Sequence, residues 1–366
     1  TTGLIAQAYG KKDCLEIEHI IKKNLFFALI CGLICIPSLS IIINMTINIF
    51  SDNIIIQNYT QSYINIRIFG SPATFINFVI LGVLLGSNEP WKIFKLVIFM
   101  NCLNIFLDLF LGMYLGLNLI GIAYGTIISE YTGVFLGLFY INNISPLRNL
   151  FNLKNIFRNK FYLIFKTNIN LFIRTLLILI SILMFTAIGS KLGETILAAN
   201  AILIIFQMFL SYSLDGFAQA AEVLIGNEYG KKNKNNIIKI IISSGIISFI
   251  FALIYSLIFY YFALNIILLI TSLEDVIVEI NKYIFWIVLS PLISFLSFHL
   301  DGVFIGSNKT KIMRNSVVIS FIIYLVCLMV LVPIYANHGL WASFIIFMLF
   351  RGLLLLIKYK SVYNFL

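Results

Sequence analysis

Long apolar runs separated by short polar breaks fill the chain, and each run is continuous rather than alternating. A helix rising 1.5 Å per residue needs about 20 apolar residues to cross a hydrocarbon core of roughly 30 Å. Runs at about 24–50, 63–87, 95–115, 119–141, 166–189, 194–226, 237–264, 279–306, 314–335 and 339–358 meet that length, and a shorter apolar stub ends near Tyr9. Ten complete helical spans are therefore predicted. Strands of a membrane barrel would show about ten alternating residues each, a pattern these runs lack. A secretory signal peptide is not expected in residues 1–23, which lead into a full span without a small-residue cleavage site.

The polar breaks repeat. Leu4-Ile5-Ala6-Gln7-Ala8-Tyr9-Gly10-Lys11-Lys12-Asp13 recurs as Leu224-Ile225-Gly226-Asn227-Glu228-Tyr229-Gly230-Lys231-Lys232-Asn233, an offset of 220 residues. The same offset pairs Tyr63-Ile64 with Tyr283-Ile284, and Gly82-Val83 and Gly86-Ser87-Asn88 with Gly302-Val303 and Gly306-Ser307-Asn308. Six predicted crossings separate residue 9 from residue 229. An even number returns the chain to the same side, so the copies run parallel rather than inverted. Parallel repeats are related by a pseudo-two-fold axis along the membrane normal. The expected fold is thus an all-α polytopic membrane protein of two parallel six-helix bundles, twelve helices in full and about ten complete here. The N-terminal lobe takes residues 1–141, a cytoplasmic linker with Pro146 takes 142–165, and the C-terminal lobe takes 166–366. About 55 apolar residues, roughly 165–220, precede the second copy and have no counterpart in the first. With Thr rather than Met at position 1, the expectation is that the opening helix and most of the next are missing.

Composition agrees with a lipid solvent: 61% of residues are hydrophobic and 11% charged, with a mean hydropathy of +1.01, where soluble domains carry about 25% charged residues. Alternate loops place 20 Lys and Arg on one side, among them Lys11, Lys92, Lys231 and Lys309. The other side holds Lys191 and Lys282 beside Asp52, Glu194, Glu274, Asp275 and Glu279. The asymmetry assigns the first side, with the C-terminus, to the cytoplasm. It also accounts for the net charge of +10 through short loops against anionic headgroups, so nucleic acid is not a partner.

Charged and polar groups inside the spans carry the candidate chemistry, because an Asp at mid-helix costs about 2.5–3.5 kcal/mol even on insertion scales. At 100° per residue, Asn101, Asn104 and Asp108 fall within about 60° of one another and give one polar face. Apolar surroundings favour a neutral Asp108, whereas Asn donors or a bound cation favour the carboxylate; such a group can alternate between a proton and a cation. The alternative is that Asp108 only fixes packing. On the helix from 194 to 226, Asn200, Gln207, Ser211, Asp215 and Glu222 share an arc of about 80°. That stripe is expected to face a cleft and serve substrate binding or proton relay, or else to form an interhelical seam. Glu130 is either a second cavity acid or part of a seam with Ser129 and Tyr131. Arg174 is expected to snorkel or pair with a loop carboxylate, with lobe closure as the alternative; Asp301 is expected in a local salt bridge or headgroup contact. Pro37, Pro72 and Pro291 lie within spans and predict kinks.

Four features together resemble the MATE (multidrug and toxic compound extrusion) family, in its DinF-like bacterial branch. They are the Tyr-Gly-Lys-Lys repeat, the Asn104/Asp108 helix, Gly189-Ser190-Lys191-Leu192-Gly193, and Leu214-Asp215-Gly216-Phe217-Ala218-Gln219-Ala220-Ala221-Glu222. The resemblance implies a twelve-helix, two-lobed carrier in the bacterial inner membrane that exports organic cations and other amphiphilic drugs in exchange for protons or sodium. It further implies that Asn104, Asp108 and Thr126 match a cation-responsive site of the N-terminal lobe, whose remaining Asp falls on the missing first helix. A monomer with no cofactor beyond H+ or Na+ is expected.

Cys14, Cys31, Cys35, Cys102 and Cys327 and the three histidines lack metal-ligand spacing, and no phosphate loop or nucleophile elbow is present. An enzyme is not expected: a membrane-embedded transferase would need clustered acids, and Glu274, Asp275 and Glu279 read as solvated loop charge. A flippase for a lipid-linked saccharide would need a broad basic cavity, whereas the basic residues lie mostly in loops. An inactive truncated product is the remaining alternative.

Overall fold

The computed structural model describes residues 1–50, 54–144 and 161–363. Asp52 and most of the expected linker, including Pro146, Arg148, Lys154, Arg158 and Lys160, lie outside the described residues. Two compact units are formed, Thr1–Phe161 and Tyr162–Leu366.

The first unit contains α1 (Thr2–Gly10), α2 (Cys14–Phe50), α3 (Ile54–Arg67), α4 (Ser71–Gly86), α5 (Pro90–Leu107) and α6 (Asn118–Asn142). The second contains α7 (Phe161–Lys191), α8 (Glu194–Gly230), α9 (Lys234–Leu268), α10 (Glu274–Gly306) and α11 (Thr310–Ile357). Only a helix or a closed barrel satisfies every backbone polar group in hydrocarbon, and no strand occurs among the described residues. Nine of the described helical stretches are long and apolar enough to cross a membrane. The last, α11, has 48 residues. It breaks at Ala336, where φ 47° and ψ −123° leave the helical region, so it supplies both of the final two predicted spans. The helices extend past the apolar runs because polar first turns stay helical; α2 begins at Cys14 rather than near residue 24.

Proline acts differently at the three predicted sites. Pro72 sits in the first turn of α4 after a 3₁₀ turn, Ile68–Gly70, that separates α4 from α3. Here the Ser71 hydroxyl donates to the Gly32 carbonyl at 2.9 Å, tying the break to α2. Pro37 and Pro291 instead lie inside uninterrupted helices.

The duplication is present in the backbone. Lys12 and Lys232 share φ 59° and 58°, and Asn88 and Asn308 share 62° and 57°. Each pair closes a tight helix-to-helix turn at the 220-residue offset. After the first turn, Asp13 Oδ1 accepts from the Glu16 amide at 2.9 Å; after its copy, Asn233 Oδ1 accepts from the Asn236 amide at 3.3 Å. These side chains satisfy amides that a helix start leaves without partners. The interhelical contact repeats too: Gly86 lies against the backbone of Thr2, and Gly306 against that of Glu222.

In the first unit, α4 packs between α1, α2 and α6 around Ile5, Ile21, Ile80, Val83 and Leu84, all fully buried. In the second, α10 packs against α8, α9 and α11 around a larger core that includes Phe185, Tyr324, Trp341 and Phe347. Large apolar side chains such as Leu33, Phe135, Ile246 and Met329 remain exposed on the outer helix faces, as lipid-facing surfaces require.

Candidate functional site

Polar clusters interrupt the apolar interior of each unit. In the first unit, α5 ends at Leu107 and the chain widens into a π-helical segment, Asp108–Tyr114. Such widened turns are often functional because they shift side chains out of helical register. Asp108 opens the segment and lies against Gly125 of α6, so a larger residue at 125 would collide with its carboxylate. The Asn104 amide donates to Asp108 Oδ1 at 3.1 Å and to Thr126 Oγ1 at 3.3 Å, and the Thr126 hydroxyl donates to the Ile122 carbonyl at 3.0 Å. The structure thus joins three of the four residues predicted there. Asn101 is exposed and stands outside this set.

Glu130 is placed in the seam. Its carboxylate takes two hydrogen bonds from Arg67 at the end of α3, at 3.0 and 2.7 Å. Its backbone carbonyl accepts from the Asn77 amide at 2.9 Å, and the Tyr131 hydroxyl donates to the Phe69 carbonyl at 3.0 Å.

The second unit contains a cavity of about 380 Å³, within the range of small-molecule pockets. From α8 it receives Gln207, Ser211 and Asp215; from α7, Arg174, Ile178 and Phe185; from α11, Trp341, Phe344 and Arg351. Residues 207, 211 and 215 recur at four-residue spacing and so share one helix face. The ends of the predicted stripe have other partners. Asn200 is buried and exchanges two hydrogen bonds with Asn337, at 2.7 and 3.0 Å, while its oxygen also accepts from the Trp341 indole at 2.9 Å. Glu222 is buried and off the cavity wall.

Behind the charged end of the cavity, Asp301 Oδ2 accepts from Arg351 Nη2 at 2.8 Å and from Arg174 Nη2. Asp301 and Arg351 are only 3% and 1% exposed. Both expectations for Arg174 are corrected: it pairs with a carboxylate of a neighbouring helix, neither snorkelling nor reaching a loop. The physical reason is that α7 starts at Phe161, which sets Arg174 about 20 Å into the helix. Of the two expectations for Asp301, the salt bridge is what forms, with Arg174 and Arg351 of two other helices, and the headgroup contact is not, because the carboxylate is buried. Arg351 was missed by the sequence reading. Its sequence signal was a cation in an apolar run, with Asp301 the opposite charge it needs. The Arg351 guanidinium also lies over Phe298 and Phe347, at 5.8 and 5.6 Å from the ring centroids, which holds it in place.

The family model for MatE matches residues 1–110 and 171–334, well over half of the chain. The chain belongs to the MatE family. This MATE transporter is 32% identical over 355 residues to DNA damage-inducible protein F of Escherichia coli (strain K12), covering 96% of this chain and 77% of that protein. Its fold is similar to that of the MATE transporter VcmN of Vibrio cholerae, with TM-score 0.87, 16% identity, and coverage of 98% of this chain and 82% of that one. It is also similar to a MOP-superfamily transporter of Pyrococcus furiosus, with TM-score 0.83, 17% identity, and coverage of 99% and 82%. The DinF-like resemblance and the all-helical fold both follow from these matches. As a MATE protein, the chain is a multi-pass membrane transporter of a family that handles small molecules.

Proposed function

We propose that this chain is a secondary active exporter of small amphiphilic, drug-like molecules, driven by a proton or sodium gradient through alternating access of its two repeats. The supporting observation is the Asn104–Asp108–Thr126 cluster: one amide donor spans an acid and a hydroxyl in an otherwise apolar span. An acid with an amide and a hydroxyl beside it in an apolar span is the kind of intramembrane group that exchanges a proton for a cation. The cavity of the second unit serves as the substrate site, with Gln207, Ser211 and Asp215 on its wall. Asn200 and Glu222 support that helix from either end. The Lys/Arg-rich loops and the C-terminus face the cytoplasm of the bacterial inner membrane, and the protein works as a monomer without an enzymatic step. Organic cations are the substrate class the family resemblance implies.

The test is efflux of ethidium and, in parallel, of an anionic amphiphile from energised cells that lack their own exporters, comparing wild type with Asp108→Asn at equal membrane abundance. Loss of gradient-driven efflux in the variant is expected for whichever probe the wild type exports. Unchanged efflux would remove Asp108 from coupling, and absence of efflux of both probes from wild type would count against the exporter reading.

A further inference from the structure

We infer that the cavity of the second unit binds amphiphilic monoanions, with a carboxylate or sulfonate head at Arg174 and Arg351 and an apolar body along Phe185, Trp341 and Phe344. The inference rests on the reading of that cavity as the substrate site and reverses the charge preference that the family resemblance implies.

Three observations carry it. The first is the cavity's polarity. Phe185 follows Arg174 by eleven residues on α7, and Trp341 precedes Arg351 by ten on α11, so charged and aromatic groups stand about 15 Å apart along both helices. Helix α8 runs the same gradient, from Asp215 to Ile204. The aromatic end is closely packed, with the Phe185 ring 4.9 Å from Trp341 and 5.6 Å from Phe344 between centroids. A head and a tail are thus provided for at opposite ends.

The second is the hydrogen-bond inventory. Arg174 Nε, Arg351 Nε and Gln207 Nε2 are buried donors without an acceptor, and all three residues line the cavity. Guanidinium offers donors only. An ammonium head would bring more donors to this wall, where Asp215 and Ser211 are the acceptors. Ser211 already donates to the Gln207 carbonyl at 2.8 Å. Asp301 Oδ1 is a buried acceptor without a donor, but Asp301 is not on the cavity wall. An oxyanion matches the surplus of donors, and paired N–H groups of arginine suit a carboxylate geometrically.

The third is charge. The wall presents two guanidiniums against one carboxylate, Asp215, and Asp301 behind them brings the group to neutrality. A bound monoanion then competes with Asp215 for the two cations, whereas a bound cation would need Asp215 and would be repelled by both arginines. Removing the charge of Asp215 therefore has opposite signs for the two ligand classes.

The experiment uses the full chain in phosphatidylcholine nanodiscs and a matched probe pair, 1-naphthaleneacetate and 1-naphthylmethylammonium. Equilibrium binding is measured with empty nanodiscs subtracted. The acetate should bind at least about tenfold more tightly than the ammonium. Asp215→Asn should tighten acetate binding by about tenfold, from the loss of one like charge. The paired variant Arg351→Met with Asp301→Asn, which removes both charges together, should weaken it by about tenfold or more. Tighter binding of the ammonium, binding of neither probe, or an Asp215→Asn variant that leaves acetate binding unchanged or weaker would each overturn the inference. No gradient is present, so failure of efflux and failure of binding are separate results.

Discussion

Two guanidiniums converge on one oxygen of Asp301, so neutralising that carboxylate strands both. Asp301→Asn leaves Arg351 and Arg174 facing each other in a site where Arg351 is 1% exposed, and breaking a buried pair from one side costs about 3–5 kcal/mol. Arg351→Met is gentler. It keeps an unbranched side chain between Phe298 and Phe347 and leaves Asp301 with Arg174, at the cost of one charged hydrogen bond of about 1.5–3 kcal/mol and some cation–π attraction. The double variant removes opposite charges together and should lose about 3 kcal/mol, well short of the sum of the singles, a coupling of about 2–4 kcal/mol. The assay is equilibrium unfolding in mixed micelles titrated with dodecyl sulfate, followed by tryptophan emission, for wild type, both singles and the double. Additivity within about 0.5 kcal/mol would refute the reasoning, because it would mean that the two side chains are not electrostatic partners of each other.

Other substitutions test the remaining geometry. Asn104→Ala should lower gradient-driven efflux less than Asp108→Asn, since it removes a hydrogen-bond donor and leaves the acid; the efflux rates of the two variants decide this. Gly306→Ala places a methyl group against the Glu222 backbone, and Gly86→Ala does the same against Thr2; each should cost about 1–3 kcal/mol in the micelle assay. Asn200→Leu leaves Asn337 and the Trp341 indole without their partner, so a loss of about 2–4 kcal/mol is expected. Asn200→Leu combined with Asn337→Leu should recover part of it.

The spans were legible because hydrophobic length is a one-dimensional signal, and the duplication because its turns need particular backbone angles wherever they occur. Helix ends were less legible. Hydropathy marks the part of a helix inside the membrane, and α7 starts at Phe161 rather than near residue 166, so Arg174 lies about one and a half turns further from the helix start than the apolar run suggests. The stripe on α8 was read as one face, yet a 37-residue helix meets different neighbours at different heights. Asn200 therefore belongs to Asn337, whereas Gln207, Ser211 and Asp215 belong to the cavity. At Asp108, Asn104 could be read because it is one turn away on the same helix, whereas Thr126, 22 residues from Asn104, came from the family resemblance alone. The group around Asp301 could not, since its partners are 127 and 50 residues distant and only the packing of α7, α10 and α11 brings them together.

Asp301 has Leu81 as its counterpart in the first copy, while the turns and glycine contacts around both positions still match. A duplication makes each half briefly redundant, and redundancy lets one copy change its chemistry while the other continues to work. Here the inherited part is the skeleton of turns and close helix crossings, and the divergent part is the set of charges placed on it. The acid of the first copy, Asp108, pairs with Leu328 at the same offset, so the two acids occupy non-equivalent positions on a common frame. Exchanging Leu81 and Asp301 between the copies would measure how far that frame tolerates moving a charge from one half to the other.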